Sequence, residues 1–132
     1  MAEGLLKKKF NSLPLNISSA GIKAMVGYPA AQEAQAVMKA RDIDITQHRA
    51  QQINKEMLIK SDIILVMEQQ QKIKLEFDLP IICGRVLRIG QWQGFDIPDP
   101  YRRNKKVFEQ TYILLEECIK KWETCLNAIL SK

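Results

Sequence analysis

Apolar positions follow two rhythms along this chain, and the rhythms alternate. From Asn104 to Leu130, Phe108, Tyr112, Leu115, Ile119, Trp122, Leu126 and Ile129 recur at steps of four and three, the spacing of one face of an α-helix. Ile63-Ile64-Leu65-Val66-Met67 is instead an unbroken apolar run, the pattern of a strand covered on both faces in a parallel sheet. Arg85 to Ile89 reads as a second such strand and Leu15 to Ser19 as a third, closed by Ala20-Gly21. Between them lie helical patterns. Ala2, Leu5, Leu6 and Phe10 share one face, and Asn11-Ser12-Leu13-Pro14 ends that helix. Pro29 can open a helix that runs to Arg41 with Ala30, Ala34, Val37 and Met38 inward. Asp42 to Ile45 is a turn and a short extended piece. Asn54 can cap a short helix whose first turn holds Glu56, and Gln69 to Phe77 is a further helix.

Strands that alternate with helices predict an α/β domain built on a parallel sheet. A chain of 132 residues suits one domain over 1–132 with a single core. Such domains normally open on a strand, and the turn from that strand into the first helix commonly binds phosphate. Here the first helical pattern starts at residue 2. The expectation is therefore a parallel twisted sheet flanked by helices that lacks its first strand and phosphate loop.

Composition narrows the classes. Hydrophobic residues make up 46% and charged residues 27%, ordinary for a soluble globular protein, and no apolar run reaches membrane-spanning length. The N-terminus does not read as a secretory signal, and three cysteines make no disulfide framework, so the expected setting is the reduced cytoplasm. The net charge of +5 is compatible with anionic substrates, phosphates included, and equally with lysines scattered over a solvated surface. Its lysine clusters are separate and carry no interleaved aromatics, which points away from nucleic acid.

The chemistry gathers in Ile97-Pro98-Asp99-Pro100-Tyr101. The prolines restrict the backbone on both sides of Asp99 and present its carboxylate at low entropic cost, as a general acid requires. The alternative is an Asp-Pro turn that caps the following helix. Asp96 is the less rigidly held carboxylate. Tyr101 can stack on a substrate ring or pack at the start of the helix. Trp92 lies just past a strand's C-terminal end, where α/β sheets carry ligands; packing is its other reading. His48 is the only histidine and has no metal-ligand spacing around it, so a capping or packing role is expected. Cys83 begins a Cys-x4-Arg run that leads into a strand and offers no phosphate cradle. Cys118 and Cys125 flank the helical stripe and read as packed residues.

Several of these segments together resemble the low-molecular-weight protein-tyrosine phosphatases, above all the bacterial branch associated with exopolysaccharide systems. They are Met1 to Leu6, Ser18-Ser19-Ala20-Gly21, His48-Arg49-Ala50-Gln51-Gln52-Ile53, Ile64 to Glu68 and the Pro98 to Tyr101 loop with its long final helix. The resemblance implies a four-stranded parallel sheet and a reaction through a cysteinyl phosphate, without cofactor or metal. It assigns Asp99 as general acid and base, Tyr101 and Trp92 to the substrate's surroundings, and Ser19 to support of the phosphate loop. Its partner would be a phosphotyrosine protein such as an exopolysaccharide-system tyrosine kinase. The family's Cys-x5-Arg-Ser-Pro stands immediately before the helix that opens this sequence, and Gln51 replaces a usual basic residue. Arsenate reductases share the fold and need an N-terminal thiol loop as well. The nucleophile and the phosphate-binding arginine are absent from these residues. The expectations are thus an inactive chain as it stands, with a nonenzymatic binding or regulatory module as the alternative. The missing strand also predicts a dimer or a rearranged sheet.

Overall fold

In a computed structural model the described residues are 1–130, with side chains up to residue 128. Ser131, Lys132 and the side chain of Ile129 lie outside the described residues. The chain divides into two compact units, Met1–Gln52 with Asp99 onward, and Ile53–Pro98.

The first unit is helical. Its elements are α1 (Ala2–Lys9), α2 (Gln32–Lys39) and the long last helix α5 (Lys105–Leu130). The stripe predicted for α5 is its buried face: Phe108, Tyr112, Leu115, Ile119 and Trp122 are all buried, and Cys118 beside them is buried too. Leu126 is half-buried. Against this face pack α1, through Leu5, and α2, through Ala34, Val37 and Met38. Arg41 lays its guanidinium 4.3 Å from the centroid of the Tyr112 ring, a cation–π contact just past α2. Asn104 caps α5 by accepting from the Val107 amide at 3.1 Å.

Two expectations for this unit are corrected. Pro29 does not open a helix. It forms an isolated antiparallel bridge with Arg49, and α2 starts only at Gln32. The turn into that bridge needs the left-handed backbone of Gly27, φ +84°; its amide donates to the Ala50 carbonyl at 2.8 Å. Leu15–Ser19 is not a strand either. No described segment forms a ladder with it, and Leu15, Asn16 and Ser18 are exposed. Extended backbone counts as a strand only when its N–H and C=O groups find a neighbouring chain. What remains of pairing there is one parallel bridge, Gly21 to Gln52.

The second unit is α/β: a parallel sheet flanked by helices. Its elements are α3 (Lys55–Lys60), β1 (Ile64–Val66), α4 (Gln69–Asp78), a 3₁₀ turn (Pro80–Ile82) and β2 (Val86–Arg88). The strands pair in parallel with Ile64 beside Val86 and Val66 beside Arg88. Among the described residues the sheet has these two strands, fewer than the resemblance implied. Leu58, Val66, Leu75, Ile82 and Val86 form one buried cluster that joins α3, the strands and α4. Asn54 caps α3 as expected and accepts from Met57 at 2.9 Å. Asn54→Ala is expected to cost about 1 kcal/mol, read as a lower denaturation midpoint with an unchanged slope. At α4, Glu68 and Gln71 form a capping box that the sequence reading did not foresee.

Candidate active site

The site is built from three stretches of the first unit. Ser19, Ala20, Gly21 and Ala24 form one wall of a hollow of about 230 Å³, and His48, Ala50 and Gln51 form the other. Small side chains leave the space open, and side-chain amides hold the walls. Gln51 donates to the Ser19 carbonyl at 2.8 Å. Gln52 accepts from the Ala24 amide at 3.0 Å and donates to the Ile22 carbonyl at 2.7 Å. Ser19, expected to support a phosphate loop, donates its hydroxyl to Glu3 Oε1 at 2.7 Å. His48 Nδ1 stands 3.7 Å from Glu3 Oε2. The lone histidine therefore pairs with a carboxylate at the hollow, and no cluster able to hold a metal ion exists among the described residues.

Glu3 is the residue the sequence reading missed. It lies sixteen residues from Ser19, and its only local signal is the Glu3/Lys7 spacing. Burial alone pushes its carboxyl up, but the Ser19 hydroxyl, Lys7 and His48 together hold it below the ordinary range. A depressed carboxylate contributes stability above its unfolded value, about 4.3, and that contribution is lost as pH falls through the folded value. Glu3→Gln is therefore expected to destabilise the chain near neutrality and to flatten the acid limb of its stability profile. Thermal melts between pH 3 and 7 check this, and an unchanged acid limb contradicts it.

Asp99 opens the other stretch of the same unit. Its carboxylate is exposed, and Oδ1 accepts from the Tyr101 amide at 3.0 Å. This is a local Asp turn, not the cap of α5, which Asn104 provides. Tyr101 is 48% exposed, with one ring face under Arg102 at 5.3 Å. Its hydroxyl donates to Met25 Sδ at 3.7 Å. Met25 follows Ala24 of the hollow's wall, so the Asp99 loop is tied to the rim of the hollow.

Trp92 belongs to the second unit, in the Gly90–Gly94 turn past β2, and is 45% exposed. That turn is tight: a Cβ on Gly90 would collide with the Phe95 carbonyl oxygen. Asp96 is not the loosely held carboxylate the sequence suggested. It accepts from Arg88 at 2.8 Å and from the Gln69 amide at 3.0 Å, which hold its carboxyl below the usual range. It pins the start of α4 to β2 and is already engaged.

The cysteines do not assemble a phosphate loop. Cys83 is exposed in the turn before β2, with Sγ 4.0 Å from the Glu76 carbonyl. A turn that enters a strand lacks the inward row of amides that cradles phosphate. Cys118 is buried, and burial, with Glu117 nearby, pushes its thiol up, away from the reactive thiolate. No cysteine among the 132 residues has an arginine six positions on.

The family model for "low molecular weight phosphotyrosine protein phosphatase" matches residues 1–132. The chain belongs to that family. It is 42% identical over 122 residues to the low molecular weight protein-tyrosine-phosphatase Ptp of Acinetobacter johnsonii, covering 92% of this chain and 84% of the relative. It is 38% identical to the probable phosphatase EpsP of Ralstonia nicotianae, covering 98% of this chain and 88% of that one. Among solved structures, Vibrio vulnificus Wzb in complex with benzylphosphonate superposes with a TM-score of 0.86 at 34% identity, covering 93% of this chain and 86% of Wzb. No helix of this phosphatase-family chain is long and apolar enough, among the described residues, to cross a membrane.

Proposed function

We propose that these residues are the acid-bearing part of a protein-tyrosine phosphatase site. A single compact unit holds both a small-residue hollow walled by Ser19 and the Asp99 loop fastened to its rim through Tyr101 and Met25. That juxtaposition carries the reading. In the family reaction a cysteine thiolate attacks the phosphotyrosine phosphorus, and the phenol oxygen leaves. Asp99 gives that oxygen its proton, then takes a proton from the water that attacks the cysteinyl phosphate. For this a carboxylate must be reachable, and Asp99 is exposed with only one oxygen engaged by the described residues. Tyr101 offers its ring to the substrate's ring. Ser19, anchored by Glu3, supports the phosphate loop at the hollow. The place of Trp92 near the substrate rests on the resemblance alone. Benzylphosphonate on the 34%-identical Wzb is one phenyl ring with one phosphonate, the chemistry such a site would take.

The thiolate and arginine are the part these residues do not contain. The chain alone is therefore read as catalytically silent, acting in the cytoplasm on a phosphotyrosine protein such as an exopolysaccharide-system tyrosine kinase once a nucleophile loop is present. Association of two copies, expected from the sheet, belongs to the same proposal. A second reading is a nonenzymatic phosphatase-like binding or regulatory module. The test is a chimera in which a strand and a Cys-x5-Arg-Ser-Pro loop precede Met1. Under the first reading it gains turnover of p-nitrophenyl phosphate, and replacing the loop cysteine by serine abolishes the gain. A folded chimera without turnover, beside a chain that binds phosphotyrosine peptide unaided, supports the second.

A further inference from the structure

Acidic residues avoid the stretches around the hollow. The sequence has 15 of them, yet none lies in 4–32, in 45–55 or in 100–108. The first two stretches carry the walls of the hollow, and the third runs on from Asp99. Glu3, the carboxylate at the hollow, is engaged by Ser19 and Lys7. Cations occupy the same stretches. Lys23 and Arg49 are exposed, one in the chain segment of each wall. Directly after Tyr101 come Arg102, Arg103, Lys105 and Lys106, four cations in five residues and all exposed.

This last group is unfavourable within the chain. Lys105 and Lys106 open α5, whose first turn holds no acidic residue, so they add positive charge to the positive end of a helix dipole. Arg102 takes a left-handed backbone, φ +63°, that residues other than glycine rarely adopt. The Arg103 amide closes that turn by donating to the Pro100 carbonyl at 2.8 Å. Arg102 lies over the Tyr101 ring at 5.3 Å. Among the described residues none of the four cations makes an ion pair. A cluster of one sign without internal counter-charge attracts the opposite sign from outside, and local rules are broken in this way at functional sites.

We propose that Arg102, Arg103, Lys105 and Lys106, with Lys23 two residues before Met25, dock acidic side chains that flank the phosphotyrosine. The substrate class is then a phosphotyrosine set in an acidic segment. The proposal rests on the phosphatase reading above and adds which phosphotyrosine proteins fit it. These cations hold the residues around the phosphotyrosine, not its phosphate.

The test is fluorescence anisotropy of a labelled peptide with glutamates around an unphosphorylated tyrosine, titrated with the 132-residue chain at about 0.1 M salt, where screening acts over about 10 Å. The peptide is expected to bind, to weaken as salt rises, and to outbind its counterpart with lysines in place of the glutamates. Arg102→Glu with Arg103→Glu should weaken it about tenfold. Lys120→Glu with Lys121→Glu makes the same change in net charge about 20 Å further along α5 and should have little effect. Lys105→Glu with Lys106→Glu should weaken the peptide while raising the thermal midpoint, because acids suit the start of a helix. Circular dichroism verifies the fold of each variant. No binding of the acidic peptide, equal losses from the two charge-matched pairs, or binding of an oligonucleotide but not of the peptide overturns the proposal. The peptide carries no phosphate, so a chimera without turnover would refute the phosphatase reading and leave this surface standing. An active chimera beside a chain that ignores the peptide would refute the surface alone.

Discussion

In a chain whose Met1 follows a strand and a Cys-x5-Arg-Ser-Pro loop, Asp99→Asn is expected to lower kcat by about 10² to 10⁴. Asparagine keeps the acceptor that receives the Tyr101 amide, so the turn survives and only the proton is lost. The deficit should depend on the leaving group. Phosphotyrosine expels a poor phenolate and needs the proton, whereas p-nitrophenolate leaves far more readily without one. The fall is therefore expected to be larger for a phosphotyrosine peptide than for p-nitrophenyl phosphate. Steady-state kinetics on both substrates check this. A loss below about tenfold on the peptide would remove Asp99 from the role of general acid.

The second large effect concerns stability and separates the two tryptophans. Trp122 is 3% exposed in the face of α5 that meets the other helices of its unit. Trp122→Ala deletes an indole from a close-packed site and is expected to cost about 3–5 kcal/mol. Against a typical total of about 5–15 kcal/mol, that removes a large share of the chain's stability. Trp92 is 45% exposed, so Trp92→Ala should cost clearly less than Trp122→Ala. Urea titrations of the two variants check the contrast, and equal midpoints would mean that the core is misassigned.

The parts of the fold that could be read in the sequence are those set by local periodicity. The α5 stripe repeats over about six turns and could hardly be anything but a buried helix face. The run around Ile64–Val66 and the cap at Asn54 carry their own signals, and both appear where expected. Leu15–Ser19 was misread because a strand is a property of two segments; its apolar spacing says nothing of whether a neighbour pairs with it. Pro29 failed for a related reason. Its fixed φ suits a helix start and a bridge alike, and the contact with Arg49 decides between them.

The candidate site divides in the same way. Asp99 and Tyr101 were legible because prolines punctuate that loop. Glu3 was not, since its partners Ser19 and His48 arrive from elsewhere in the chain. Asp96 was half legible. Its proximity to the loop could be read, but its engagement by Arg88 and Gln69 is a fact of the folded second unit. The capping box at Glu68 and Gln71 escaped because glutamate is not among the usual cap residues.

The measurement that bears most directly on the account is hydrolysis of p-nitrophenyl phosphate by the 132-residue chain itself, beside its Asp99→Asn variant, with both verified as folded. No turnover is expected from either, because the acid has no nucleophile to serve. Clear turnover that drops on Asp99→Asn would contradict it, and would turn attention to the exposed Cys83 as an attacking thiol.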